Sequence, residues 1–144
     1  MPSPHILLVE DDADSADLAK LLLRKIAPGA GIDHVVDGVQ ALDYLEGRGE
    51  YAGRGPQSPA VILLDLKMPR MDGFGVLQRM REIPELRLRR VVVLSASAQE
   101  RDVRRAYELG ASGYVVKSID FDSFRTSLQG IWDFWCVLNQ PPPA

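Results

Sequence analysis

The segment Ala60-Val61-Ile62-Leu63-Leu64 is apolar at every position and breaks at once on Asp65. It is too short for a stable helix and far short of the ~20 residues needed to cross a bilayer. A strand with one wet face alternates apolar and polar residues, whereas an unbroken apolar strand belongs inside a parallel sheet covered on both faces. This segment therefore points to an α/β chain with helices packed on either side of a sheet.

The rest of the chain supplies the other layers. Ile6-Leu7-Leu8-Val9 is another apolar run ending in acids, and Ile32 to Val36, Val91-Val92-Val93-Leu94 and Gly113 to Val116 read as further strands. Between them, Ser15 to Ala27 puts Leu18, Leu21, Leu22 and Ile26 on one helical face and stops at Pro28-Gly29. Gly38 to Glu46, Phe74 to Ile83, Gln99 to Leu109 and Phe121 to Leu138 complete the helices. Regular alternation with right-handed crossovers predicts a five-stranded parallel sheet, doubly wound. A chain of 144 residues that is 46% hydrophobic is sufficient for one domain with its own core. Residues 1–140 are expected to form that domain, 141–144 a Pro-rich tail, and no output domain is expected. The Gly/Pro-rich stretch Gly47 to Pro59 reads as a loop insertion after the second helix.

Charge and cysteine content narrow the function. With 17 basic and 20 acidic residues the net charge is −3, which disfavours a nucleic-acid binder. The arginines between Arg79 and Arg105 are interleaved with Glu82, Glu85, Glu100 and Asp102, as on a solvated face. The single Cys136 excludes an internal disulfide, and His5 and His34 are too isolated to suggest a metal cluster. No apolar run is long enough for a membrane span, and Met-Pro-Ser-Pro-His lacks the features of a secretory signal, so a cytoplasmic location is expected.

Open parallel sheets bind ligands beyond the carboxyl ends of their strands. Those ends carry Glu10-Asp11-Asp12, Asp65, Ser95 and Lys117. Clustered carboxylates repel one another, and a hard divalent cation relieves that repulsion. A carboxylate can also act as nucleophile toward phosphorus, with a lysine and a hydroxyl offsetting phosphoryl charge. Taken singly, each residue has a plainer use. Glu10 to Asp12 and Asp65 can cap helices or loops, Ser95 can serve a turn, and Lys117 can be a surface charge.

Four segments carry a resemblance: Leu8-Val9-Glu10-Asp11-Asp12, Leu63-Leu64-Asp65-Leu66-Lys67-Met68-Pro69-Arg70-Met71-Asp72-Gly73, Leu94-Ser95-Ala96 and Gly113-Tyr114-Val115-Val116-Lys117. In this order and spacing the chain resembles the receiver domains of bacterial response regulators, with their flavodoxin-like (βα)5 fold, over nearly its whole length. The resemblance implies Asp65 as phosphoacceptor, Asp11 as direct ligand of Mg2+, and Glu10 as an acid reaching it through water. It also implies a further ligand in the backbone carbonyl of Lys67, phosphoryl contacts from Ser95 and Lys117, and Tyr114 as an aromatic switch that rotates inward. Asp12 is expected to serve the helix start. Receivers usually place a cis proline after the lysine; Ser118 stands there, leaving both isomers of the Lys117-Ser118 peptide open. The long second-helix loop and the aromatic-rich final helix are similar to regulators that partner bacterial phytochrome histidine kinases.

In the final helix, Phe121, Phe124, Leu128, Ile131, Trp135 and Leu138 form an apolar stripe expected to cover the sheet. Trp132, Phe134 and Val137 fall outside it and predict an interface, for a homodimer or for kinase docking. The implied function is a phosphorelay module that is not a conventional enzyme, though it assists its own phosphorylation and dephosphorylation. One rival is an aspartate-nucleophile phosphatase, which needs an acid two residues beyond the nucleophile, where Lys67 stands. A flavodoxin-type cofactor binder would want a Ser/Thr/Gly-rich phosphate loop after the first strand, whereas Glu10 to Asp12 would repel a phosphate unless metal is present. A receiver fold acting through its surfaces without phosphorylation is the remaining alternative.

Overall fold

The computed structural model describes residues 4–53 and 58–143. Strands β1 (His5–Val9), β2 (Gly31–Val35), β3 (Val61–Leu64), β4 (Val91–Ser95) and β5 (Gly113–Val116) form one parallel sheet in the order β2-β1-β3-β4-β5. Helices α1 (Ala13–Ile26), α2 (Gly38–Glu46), α3 (Gly73–Glu82), α4 (Glu100–Glu108) and α5 (Phe121–Ile131) make the crossovers.

The sequence explains both the helix starts and the layering. Asp12, Asp37, Asp72 and Asp120 cap α1, α2, α3 and α5, each carboxylate accepting a backbone N–H three residues on. Within each apolar strand, alternate side chains enter different cores. Leu7, Val9, Ile62, Leu64, Val91 and Val93 pack with Leu45, Val76 and Leu77 of α2 and α3. Ile6, Leu8, Val61, Leu63, Val92 and Leu94 pack with Leu22, Leu23, Phe124 and Leu128 of α1 and α5. Each fully buried Leu or Val contributes about 1.5–3 kcal/mol over its exposed state, which makes the central strands the rigid frame of the molecule.

Several expectations shift. The second strand ends at Val35, Val36 being exposed, and Ser95 closes β4 rather than following it. The loop after α2 contains a 3-10 turn at Gly49–Tyr51, while 54–57 of the expected insertion lie outside the described residues. The final helix is α-helical only to Ile131; Trp132–Leu138 continues as a π-helical segment. Its wider turn changes the angular step between residues, so a stripe projected at the α-helical period drifts. Trp132 comes before that drift: it lies one α-helical step of four beyond buried Leu128, its N–H donating to the Leu128 carbonyl. It packs partly buried against the α1/α5 core instead of standing free, with Trp135 and Cys136 beside it. Leu138, placed in the core stripe by α-helical spacing, is 75% exposed, and Phe121 is also exposed. Of the expected interface, Phe134 and Val137 remain open to solvent, at 47% and 63%.

Among the described residues no helix is long and apolar enough to cross a membrane. No peptide bond there is cis, so Lys117-Ser118 is trans.

Candidate functional site

The strand order reverses between β1 and β3, and the residues that follow these strands meet at that crevice. Val9 pairs with Leu64 in register, and the Asp65 N–H donates to the Val9 carbonyl at 3.1 Å. Asp65 therefore emerges beside Glu10. The Glu10 N–H donates to Val35 O at 3.0 Å, which extends the β1–β2 ladder one step into the loop. On the other side, the Lys117 N–H donates to Ser95 O at 2.7 Å. The apolar core thus fixes the backbone on which the site stands.

The carboxylate oxygens of Glu10, Asp11 and Asp65 lie within 4.8 Å of one another. This all-oxygen donor set suits a hard divalent cation, and the residues fit that group. Glu10 is only 4% exposed and meets Lys117 Nζ through Oε1 at 2.5 Å, while Oε2 accepts the Asp12 N–H at 3.2 Å. Asp12 itself turns to the helix, accepting the Ser15 N–H at 2.8 Å.

Placing two carboxyls together in a partly dry cleft pushes their proton affinities apart. Burial pushes Asp65 up to about 7; the pull of the Lys117 charge opposes this, and the neighbouring Glu10 carboxylate adds to it. The Lys67 N–H also donates to Asp65, favouring its ionised form. Burial works against the charge of Glu10 as well, but its hydrogen bonds to Lys117 and the Asp65 carboxyl outweigh this and hold it below the ordinary range. Without a cation, Asp65 is the partner that keeps the proton.

Ser95 is buried, and its Oγ accepts the Ser97 N–H at 3.1 Å. Tyr114 on β5 is already partly buried against the α2/α3 core, and its hydroxyl donates to the Ser97 carbonyl at 2.8 Å. The Ser97 hydroxyl donates in turn to Asp102 of α4 at 2.6 Å. Tyr114 is thereby tied through one loop residue to both Ser95 and α4.

Two further features escape a reading by sequence pattern. A Cβ on Gly73 would lie 2.4 Å from the Asp65 carbonyl, so only glycine lets α3 start against the site's backbone. Arg70 is the one non-glycine residue with positive φ among the described residues, at 64°. It donates from Nε and Nη2 to both oxygens of Asp37, at 2.8 and 3.1 Å. This clasp locks the loop from Asp65 to Asp72 onto the start of α2, where the Gly38 N–H also donates to Met71 O at 3.1 Å. Asp37 caps α2, and its partner Arg70 lies 33 residues away, a pairing that carries no local signal.

The expected residues Glu10, Asp11, Asp65, Ser95 and Lys117 thus gather at the ends of four adjacent strands, and Tyr114 stands one loop away. Trp132, Phe134 and Val137 belong to a separate region at the end of the final helix.

A family model described as the response regulator receiver domain matches residues 6–129. Response regulator Rcp1 of Synechocystis sp. (strain ATCC 27184 / PCC 6803 / Kazusa) is 38% identical over 148 aligned residues, covering 99% of this chain and 96% of its own. The crystal structure of its Mn2+-bound form superposes with a TM-score of 0.87, at 35% identity, over 97% of this chain and 99% of that one. The phosphorylated cyanobacterial phytochrome response regulator RcpA gives a TM-score of 0.90 at 34% identity, over 98% and 99% of the two chains. The bacteriophytochrome response regulator RtBRR is 45% identical with a TM-score of 0.75, over 98% of this chain and 85% of its own.

Proposed function

The chain belongs to the response regulator receiver family, and from that premise we propose that Asp65 accepts a phosphoryl group from the phosphohistidine of a kinase. The supporting observation is the meeting of Glu10, Asp11, Asp65, Ser95 and Lys117 at four adjacent strand ends. A divalent cation, which we take to be Mg2+, would be held by Glu10, Asp11, Asp65 and the backbone carbonyl of Lys67, and would neutralise carboxylate and phosphoryl charge.

An oxygen of ionised Asp65 attacks phosphorus as the N–P bond of the donor breaks, and the imidazole leaves with that electron pair. Lys117 exchanges Glu10 for a phosphoryl oxygen, a move open to it because Nζ is held by one carboxylate oxygen in the resting site. The Ser95 hydroxyl, which accepts from the Ser97 N–H, keeps its own proton to donate to another phosphoryl oxygen. That contact draws on the loop to which Tyr114 is bonded, so movement of Ser97 is the route by which the ring turns further inward. Hydrolysis of the aspartyl phosphate by water in the same site resets the switch, which is how the domain assists its own turnover.

Kinship with Rcp1, RcpA and RtBRR supports a bacteriophytochrome-type histidine kinase as donor, and hence a cytoplasmic place of action. We read residues 1–140 as a single receiver domain that signals through its surfaces, without nucleic-acid contact. Exposed Phe134 and Val137 support a homodimer through the end of the final helix. Trp132 supports that interface from the core side.

Treatment with acetyl phosphate and Mg2+ should add one phosphoryl group to the protein and none to Asp65→Asn. Labelling of Asp65→Asn at the wild-type rate would overturn the assignment.

A further inference from the structure

The other end of β4, away from the acids, borders a cavity of about 460 Å³. It lies between the last turns of α3 and α4 and the 3-10 turn Pro84–Leu86. Its floor is apolar, made by buried Leu77, Met80 and Leu86, and its rim carries Arg81, Arg87 and Arg89. The volume falls within the ~300–1,000 Å³ of small-molecule sites, which typically combine an apolar lining with few polar groups.

The positive charge on this rim is not neutralised. Glu82, next to Arg81 in sequence, pairs with Arg79, and Glu85, two residues before Arg87, is exposed and lies beyond ion-pair distance of these arginines. Among the described residues no carboxylate lies within ion-pair distance of Arg81, Arg87 or Arg89. Arg81 Nη1 donates to the Glu108 carbonyl at 2.7 Å, and Arg87 Nε to the Arg81 carbonyl at 3.0 Å. These bonds hold the guanidinium groups in place and leave their charge uncompensated. Arg89 Nε is buried and has no hydrogen-bond partner. That N–H is closed off from the cavity as well as from bulk water, so what Arg89 brings to the rim is its positive charge.

We propose that this cavity binds a small organic anion with an apolar body, a carboxylate or a phosphate monoester. The apolar part rests on Leu77, Met80 and Leu86, and the anionic head is held at the rim by the charges of Arg81, Arg87 and Arg89. The site is distinct from the phosphoryl-transfer crevice, since it meets β4 at Val91 and the crevice meets it at Ser95.

The test is a titration of the full chain followed by amide NMR, with octanoate, octyl phosphate and, as uncharged control, octanol. Both anions should bind saturably, one per chain, shifting the amides of Leu86, Leu109 and Gly110. Octanol should bind roughly tenfold more weakly or worse, the scale of one lost charge-assisted hydrogen bond. Arg89→Gln should weaken the anions by about the same factor and leave octanol unchanged. The exposed Arg87→Gln gives the same readout if Arg89→Gln does not fold. Arg101→Gln, on the outer face of α4, should change nothing. Tighter binding of octanoate than of octyl phosphate assigns a carboxylate ligand, and the reverse order a phosphate ester. Absence of saturation at millimolar ligand, equal affinity for octanol, or wild-type affinity in the arginine variants would overturn the proposal.

Discussion

Replacing Asp65 with asparagine should stabilise the metal-free protein by an amount that grows with pH. The carboxyl is raised from 3.8 to about 7, chiefly by burial and by Glu10 at its side. A carboxyl shifted upward contributes stability that is fully present below 3.8 and lost as the pH rises through about 7. Full conversion of that shift, at ~1.4 kcal/mol per pH unit, gives about 4 kcal/mol. The carboxyl is only partly buried and solvent screens it, which reduces the expected effect to about 1–2 kcal/mol. Glu10 works in the opposite sense. Its lowered pKa contributes stability present above 4.5 and lost as the pH falls, and this pull remains in the variant through Lys117. Urea unfolding of both proteins in chelator, at about pH 4 and about pH 8, measures the difference. The gap should widen by about 1–2 kcal/mol toward high pH and shrink on adding Mg2+, which stabilises the ionised wild type by mass action. Parallel pH profiles in chelator would refute the reasoning.

Gly73→Ala should lower stability by about 1–3 kcal/mol, because its Cβ would meet the Asp65 carbonyl at 2.4 Å; thermal unfolding with acetyl-phosphate labelling checks it. Asp37→Ala removes both the α2 cap and the Arg70 clasp and should cost about 1–3 kcal/mol, more than Arg70→Ala, in denaturant titrations. Phe134→Ser with Val137→Ser should shift a dimer toward monomer in sedimentation equilibrium without unfolding it. Trp132→Ala should instead cost stability, about 1–3 kcal/mol, less than a fully buried aromatic because the ring is only partly buried, as thermal unfolding checks.

The sheet was legible because its signal is local: apolar runs such as Val61 to Leu64 can be satisfied only between two helical layers. The gathering of Asp65, Glu10, Ser95 and Lys117 followed once each was placed at a strand end, since parallel strands deliver their carboxyl ends to one edge. What escaped depends on geometry that spacing does not encode. The π-helical turns after Ile131 leave Leu138 out of the core against an α-helical projection, while Trp132 sits on the core side because it stands four residues beyond buried Leu128. The Arg70–Asp37 clasp joins two loops distant in sequence, and the tie from Tyr114 through Ser97 to Asp102 depends on where one loop carbonyl points.

The role of Asp65 is tested most directly by locating the phosphoryl group. Protein treated with acetyl phosphate and Mg2+, reduced with borohydride and digested should yield a peptide with homoserine at position 65, the reduction product of an aspartyl phosphate. Homoserine at position 11 or 12 instead, or an unmodified Asp65 in fully labelled protein, would contradict the account.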